Sequence, residues 1–390
     1  MFELAERMSR LGTESAFQVL AKARALEAQG KDVIHLEIGE PDFATPGHII
    51  DAACRALHEG WTHYTPTQGI PELVNLIAAQ IGERRGQPVS PAQVVVTPGA
   101  KPIMFFTLLA LAQPGREVIY PDPGFPIYKS MIDFCGAKAV PLPLREELDF
   151  RFQLDDLRPL INERTALIIL NSPHNPTGGI MEPTDLEEIA KLCVEHNIPV
   201  LSDEVYEQIL YDGEFHSIAT YPGMSTSERT IILHGFSKTY AMTGWRLGYG
   251  VMPEWLAEHV KRLMVNSNSC TNAATQWAGV AALTGTQEPV AEMVAAFRQR
   301  REVIVAGLNS IPGITCRMPR GAFYVFPNIT GTGLSSQACE DLLLQKAGVA
   351  TLSGTSFGVT GEGYLRLSYA NSVENIEKAI ERIRTTLGDR

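Results

Sequence analysis

The sequence predicts an α/β fold: a large domain on a mostly parallel seven-stranded sheet with helices on both faces, plus a smaller α+β domain. Three observations carry this. Short continuous apolar runs alternate with helix-patterned segments from about residue 45 to 265, the order that βαβ units impose. Several of these runs end in Gly, Pro, Asn or Asp, as fully buried strands do. The chain has 390 residues, more than one core usually serves, so two domains are expected.

Residues 1–45 are read as part of the small domain, 46–285 as the large domain and 286–390 as the remainder of the small one. "HIIDAACRALHEG" has apolar residues at helical spacing, and "PELVNLIAAQIGERRG" repeats the pattern with Pro71 at its start, where a helix tolerates proline. "AKPIMFFTLLALAQPG" is apolar nearly all round, so the helix it predicts is buried on most sides. The seven strand candidates are "QVVVTPG", "EVIYPDPG", "KAVPLPL", "TALIILNSP", "IPVLSDEVY", "TIILHGF" and "RLGYGVM". "PTDLEEIAKLCVEHN" is a helix between two of them. Residues 270–310 read as one or two long helices. Beyond them come "GAFYVFPNI", a helix "SSQACEDLLLQKAG", strands "VATLSG" and "GYLRLSYAN", and a terminal helix "SVENIEKAIERIRTTLG".

A formal charge of −11 argues against nucleic acid as a partner, because a phosphate backbone needs a basic face. No stretch approaches the ~18 consecutive apolar residues of a membrane helix, and the N-terminus lacks the apolar core of a secretory signal. The six cysteines are scattered without a CxxC pair. They are read as reduced thiols of a cytoplasmic protein, and no metal site is expected.

Ligands of open α/β sheets sit at the carboxyl ends of strands. Gly99, Ala100 and Lys101 follow one strand candidate, and Gly124 and Phe125 another. Asn171 and Asn175 follow a third, Asp203 and Tyr206 a fourth, and Ser237, Lys238 and then Arg246 a fifth. These residue types meet the needs of pyridoxal 5′-phosphate. Its aldehyde requires an amine, and Lys238 is the candidate nucleophile. Its ring nitrogen requires a carboxylate, for which Asp203 serves. Asn175 and Tyr206 can donate to its phenolate oxygen. Residues 99–101 at a helix start, Ser237 and Arg246 suit its phosphate. Phe125 could stack on its ring.

Eight motifs in order resemble a known family: "GEPDF" (39–43), "YTPTQGIPEL" (64–73), "TPGAK" (97–101), "NSPHNPTG" (171–178), "SDEVYE" (202–207), "SKTYAMTGWRLGY" (237–249), "GAFYVF" (321–326) and "LRLSYA" (365–370). Over nearly its whole length the chain resembles the fold type I class I/II aminotransferases, and their bacterial aspartate-aminotransferase subgroup in particular. The resemblance implies that Lys238, Asp203 and Tyr206 are catalytic. It implies that Arg366 clamps a substrate carboxylate, with Gly39 over the substrate and Asn175 beside it. It also implies that Tyr64 reaches the phosphate of a neighbouring subunit, hence a homodimer with shared sites.

The activity implied is ping-pong transfer of an amino group from an L-amino acid to a 2-oxo acid such as 2-oxoglutarate. Lys101 matches a lysine that the subgroup carries near a distal carboxylate. Glu14 and Ala16, in "GTESAFQVLAKA", stand where that subgroup carries hydroxyls, so aromatic, branched or alanine-type donors stay open. A lyase or decarboxylase on the same scaffold is an alternative, since fold does not fix reaction. A non-enzymatic regulator and a dinucleotide oxidoreductase are weaker ones. His174 is read as a polar turn residue, and "GTGLSS" (331–336) as no phosphate loop.

Overall fold

A computed structural model describes residues 2–388. Its strands are β1 (Ile34–His35), β2 (Val94–Thr97), β3 (Glu117–Asp122), β4 (Lys138–Pro143), β5 (Thr165–Asn171), β6 (Val200–Asp203), β7 (Thr230–Gly235), β8 (Gly248–Val251), β9 (Tyr324–Val325), β10 (Val349–Ala350), β11 (Leu352–Ser353) and β12 (Leu365–Ser368). The helices are α1 (Ser15–Glu27), α2 (Gly47–His58), α3 (Pro71–Arg85), α4 (Lys101–Leu111), α5 (Ile127–Phe134), α6 (Leu154–Leu157), α7 (Pro183–Glu195), α8 (Glu254–Ser267), α9 (Ala273–Thr284), α10 (Glu288–Asn309), α11 (Ser336–Leu342) and α12 (Val373–Gly388).

The seven expected strands form one sheet in the order β2–β8–β7–β6–β5–β3–β4. Strands β3 to β7 pair in parallel, and β8 runs antiparallel to both its neighbours. Every residue of β3, β5, β6 and β7 is buried, which is why they read as unbroken apolar runs rather than alternating ones. Strand β4 lies at an edge and exposes Lys138 and Pro141. Proline lacks the N–H a central ladder needs, so an edge is where it fits.

The pleat sends alternate residues to opposite faces. Val95 meets α4 and α8 through Ile103, Phe106, Leu256 and Val260. Val94 and Val96 meet α2, α3 and α9 through Ile49, Leu73, Ile77 and Ala278. Helix α4 buries Ile103, Met104, Phe106, Thr107 and Leu108, yet Leu109 is exposed.

A second core gathers Ile34 and Leu36 with Phe297, Ile304 and Leu308 of α10, Tyr324, Leu367 and Ile376. Strand β1 pairs with β10, Ile34 opposite Val349, so the N-terminal segment is joined to the C-terminal part. Strands β11–β12–β9 form an antiparallel sheet beside it. Residues 270–310 make two helices, α9 and α10. Val19, Ala23 and Leu26 of α1, one helical stripe, pack with Phe326, Leu344 and Leu352.

This topology sets the site. Strands β2 and β7 are both antiparallel to β8, so they point the same way. The carboxyl ends of β2, β3, β5, β6 and β7 therefore emerge at one edge, where β8 begins. Arg246, just before β8, meets there the residues that follow the other strands.

Candidate active site

The edge opens into a cleft of about 980 Å3. Lys238, in the turn that follows β7, lines it. Its ammonium donates to the Gly39 carbonyl and lies 6.0 Å from the Tyr206 ring centroid and 5.8 Å from that of Phe323. Burial lowers its pKa from 10.5 to about 8, and Glu40 pulls the other way. An amine so placed reaches its neutral, nucleophilic form near physiological pH.

Asp203 is the last residue of β6 and is 8% exposed. Its Oδ2 accepts a 2.6 Å hydrogen bond from the Tyr128 hydroxyl. Burial raises its pKa from 3.8 to about 6, against the Tyr128 bond. Among the described residues it forms no ion pair with a lysine or arginine. Tyr206, buried three residues on, shares a 2.8 Å hydrogen bond with the Tyr324 hydroxyl, and burial pushes its pKa well above 10.

Arg366, on β12, is 4% exposed. It donates to Asn175 Oδ1 at 3.3 Å and to the Glu37 carbonyl. Its guanidinium lies 4.6 Å from the Tyr324 ring centroid and 5.0 Å from that of Phe357. Its Nε is buried without a partner among the described residues. Asn175 is locked by its own N–H, which donates to Asn171 Oδ1 at 3.0 Å.

The other arginine lies apart. Arg246 adopts φ 56°, donates to the Thr243 carbonyl at 2.7 Å and packs its guanidinium onto Gly99. Gly99 has φ 88° and a Cβ there would collide with that guanidinium, so the turn needs glycine twice over. Thr97 Oγ1 donates to the Gly99 carbonyl at 2.7 Å and pins the turn. Ala100 and Lys101 then open α4, and both line the cleft with Ser237.

Phe125 lines the cleft too, edge-on to Tyr128 at 5.6 Å, and Lys101 Nζ lies 5.4 Å from its centroid. Lys101 forms an ion pair with Glu14. Gly39 allows close approach of another kind, since a Cβ there would strike the Tyr324 hydroxyl. Tyr64 is 88% exposed and outside this chain's cleft. His174 differs from a simple surface turn residue: it is 3% exposed, bonds Thr177 Oγ1 at 2.8 Å, and burial drops its pKa to about 3. Tyr128 and Tyr324 escaped the sequence reading. Nothing in their spacing pairs them with Asp203 and Tyr206; that takes the folded sheet.

The donor set fits pyridoxal 5′-phosphate. The first N–H groups of α4, Ser237 and Arg246 are donors of the kind an anion takes, and Ala100, Lys101, Ser237 and Arg246 line one cleft. Asp203 is a buried carboxylate without a cation, which a protonated ring nitrogen would supply. Lys238 offers an amine close to neutrality, and Phe125 an aromatic face.

Residues 31–383 match the family described as aminotransferase class I and II. An aspartate aminotransferase of Musicola paradisiaca is 40% identical over 386 residues, 98% of this chain and 96% of that protein. An aromatic-amino-acid aminotransferase of Thermococcus litoralis is 38% identical over 391 residues, 99% of each. The structure of a Thermus thermophilus aspartate aminotransferase with maleate matches with a TM-score of 0.94 at 36% identity, over 99% of this chain and 100% of that one. With Lys238, the buried carboxylate Asp203 and the donors Ser237 and Arg246 lining one cleft, these matches decide the matter: the chain belongs to the class I and II aminotransferases, fold type I transaminases that use pyridoxal 5′-phosphate.

Proposed function

We propose that the chain moves the amino group of an L-amino acid to a 2-oxo acid, 2-oxoglutarate first among acceptors, in two half-reactions at one site. The observation that carries this is Lys238: an amine drawn toward neutrality by burial, one strand away from the unpaired carboxylate Asp203. Pyridoxal 5′-phosphate supplies an aldehyde to hold the amino group and an electron sink for the α-carbon. Lys238 Nζ takes the α-proton as a base and gives it back as an acid. Asp203 keeps the ring nitrogen protonated. Asn175 and Tyr206 donate to the phenolate oxygen, and Phe125 stacks on the ring.

Ser237, Arg246 and the amides of Gly99, Ala100 and Lys101 hold the phosphate. Arg366 grips the substrate α-carboxylate in a bidentate fork, a task that suits arginine better than lysine, and Gly39 covers it. Tyr64 completes the phosphate site of a second copy in a homodimer; its 88% exposure on one chain supports that role. The six cysteines are all free, which supports a reducing, cytoplasmic setting.

The test is a panel of L-amino acids (aspartate, glutamate, alanine, phenylalanine) given to the cofactor-loaded enzyme with 2-oxoglutarate. The reading expects L-glutamate and the donor's 2-oxo acid with its carboxylate intact, and, when 2-oxoglutarate is withheld, pyridoxamine phosphate on the enzyme. Release of carbon dioxide or ammonia instead would contradict it.

A further inference from the structure

Glu14 occupies the N-cap position of α1, yet its carboxylate makes no capping bond to that helix. It reaches across 87 residues of sequence to the ammonium of Lys101. Both side chains line the cleft that holds Lys238 and Arg366. The Lys101 side chain is 50% exposed and that of Glu14 18%, so the pair sits at the open side of the cleft. The same cleft is lined by Ala16, Phe17, Leu20, Met104 and Phe125, with Arg24 and Glu27 further along α1. Helix α1 is anchored further along, through Val19, Ala23 and Leu26. Glu14 can therefore leave Lys101 without disturbing a core.

We propose that Glu14 is an internal stand-in for the distal carboxylate of a dicarboxylic substrate, and so sets which side chains the cleft accepts. With Glu14 on Lys101 the subsite is neutral and apolar, fit for an uncharged side chain. A dicarboxylate expels Glu14 and takes its place on the ammonium. The exchange trades one partly exposed ion pair for another, and pairs open to solvent are weak enough to swap. Transamination needs this of a single site, because donor and acceptor enter it in turn and need not carry the same charge. The inference thus rests on the reading of the reaction given above. Glu14 also acts electrostatically on Lys238 and Arg366, as a group facing the substrate must.

The test uses cofactor-loaded enzyme and two unreactive ligands of equal length, glutarate and pentanoate, titrated by calorimetry. Glu14→Gln is expected to tighten glutarate by about fivefold, the upper worth of one such competing pair. Pentanoate affinity should stay within about twofold on the same scale. Adding Lys101→Met to Glu14→Gln should cancel the glutarate gain. Unchanged glutarate affinity in Glu14→Gln, or an equal change for both ligands, overturns the proposal. Neither ligand turns over, so the titration is readable whatever the amino-acid panel shows. Failure of the panel sinks the reaction; failure of the titration sinks only the role of Glu14.

Discussion

At the residue scale, Asp203 shows how the site opposes its own stability. Its folded pKa of about 6 stands above its ordinary 3.8, so the fold favours the protonated acid. That contribution is fully present below about pH 4 and is lost as pH rises through about 6, up to roughly 3 kcal/mol at 1.36 kcal/mol per pH unit. Asp203→Asn removes the buried charge and still accepts from Tyr128. The cofactor-free variant should therefore melt above cofactor-free wild type at pH 7.5, and close to it at pH 4.5. The same change should weaken pyridoxal phosphate binding by about a hundredfold, as loss of a buried charge partner does. Thermal melts and a cofactor titration check both halves. A variant that melts lower at pH 7.5 would show that the carboxylate is not held at a cost. Asp203 and Lys238 were legible in the sequence because each directly follows an apolar run. Tyr128 and Tyr324 were not, because their partners are 75 and 118 residues away.

At the element scale, the turn from β2 into α4 concentrates the anion site in three residues. Gly99→Ala forces a side chain into φ 88° and against Arg246. The strain should cost about 1 kcal/mol or more in stability. By displacing the guanidinium it should also weaken pyridoxal phosphate at least about tenfold, the loss of one charge-assisted contact. Melting temperature and cofactor affinity read the two effects, and an alanine variant with wild-type affinity would remove this turn from the phosphate site. The strands of the large sheet were readable since continuous burial leaves continuous apolar runs. The direction of β8 was not, because side-chain pattern is the same for parallel and antiparallel pairing. Nor was α1, whose buried stripe is Val19, Ala23 and Leu26 with Phe17 left 61% exposed; exposed apolar residues blur its helical period.

At the scale of the whole molecule, a chain of net charge −11 gathers Lys101, Lys238, Arg246 and Arg366 around one cleft. Net charge alone does not reveal these four cations, which suit an anionic cofactor and a substrate carboxylate. Both cores contribute walls: Phe17 and Leu20 of α1, Gly39 and its neighbours from the N-terminal segment, Tyr324, Arg366 and Asn371 from the C-terminal part, and the strand ends and following turns of the large sheet. A sequence read strand by strand finds the last set unaided. Arg366 and Gly39 came into view through the family resemblance, because nothing local links them to Lys238. The account stands on the amine at position 238, and reductive trapping tests it most directly. Holoenzyme treated with borohydride, digested and analysed by mass spectrometry should carry one phosphopyridoxyl group, on the peptide containing Lys238. The label on another lysine, or on none in a protein that binds the cofactor, would contradict it.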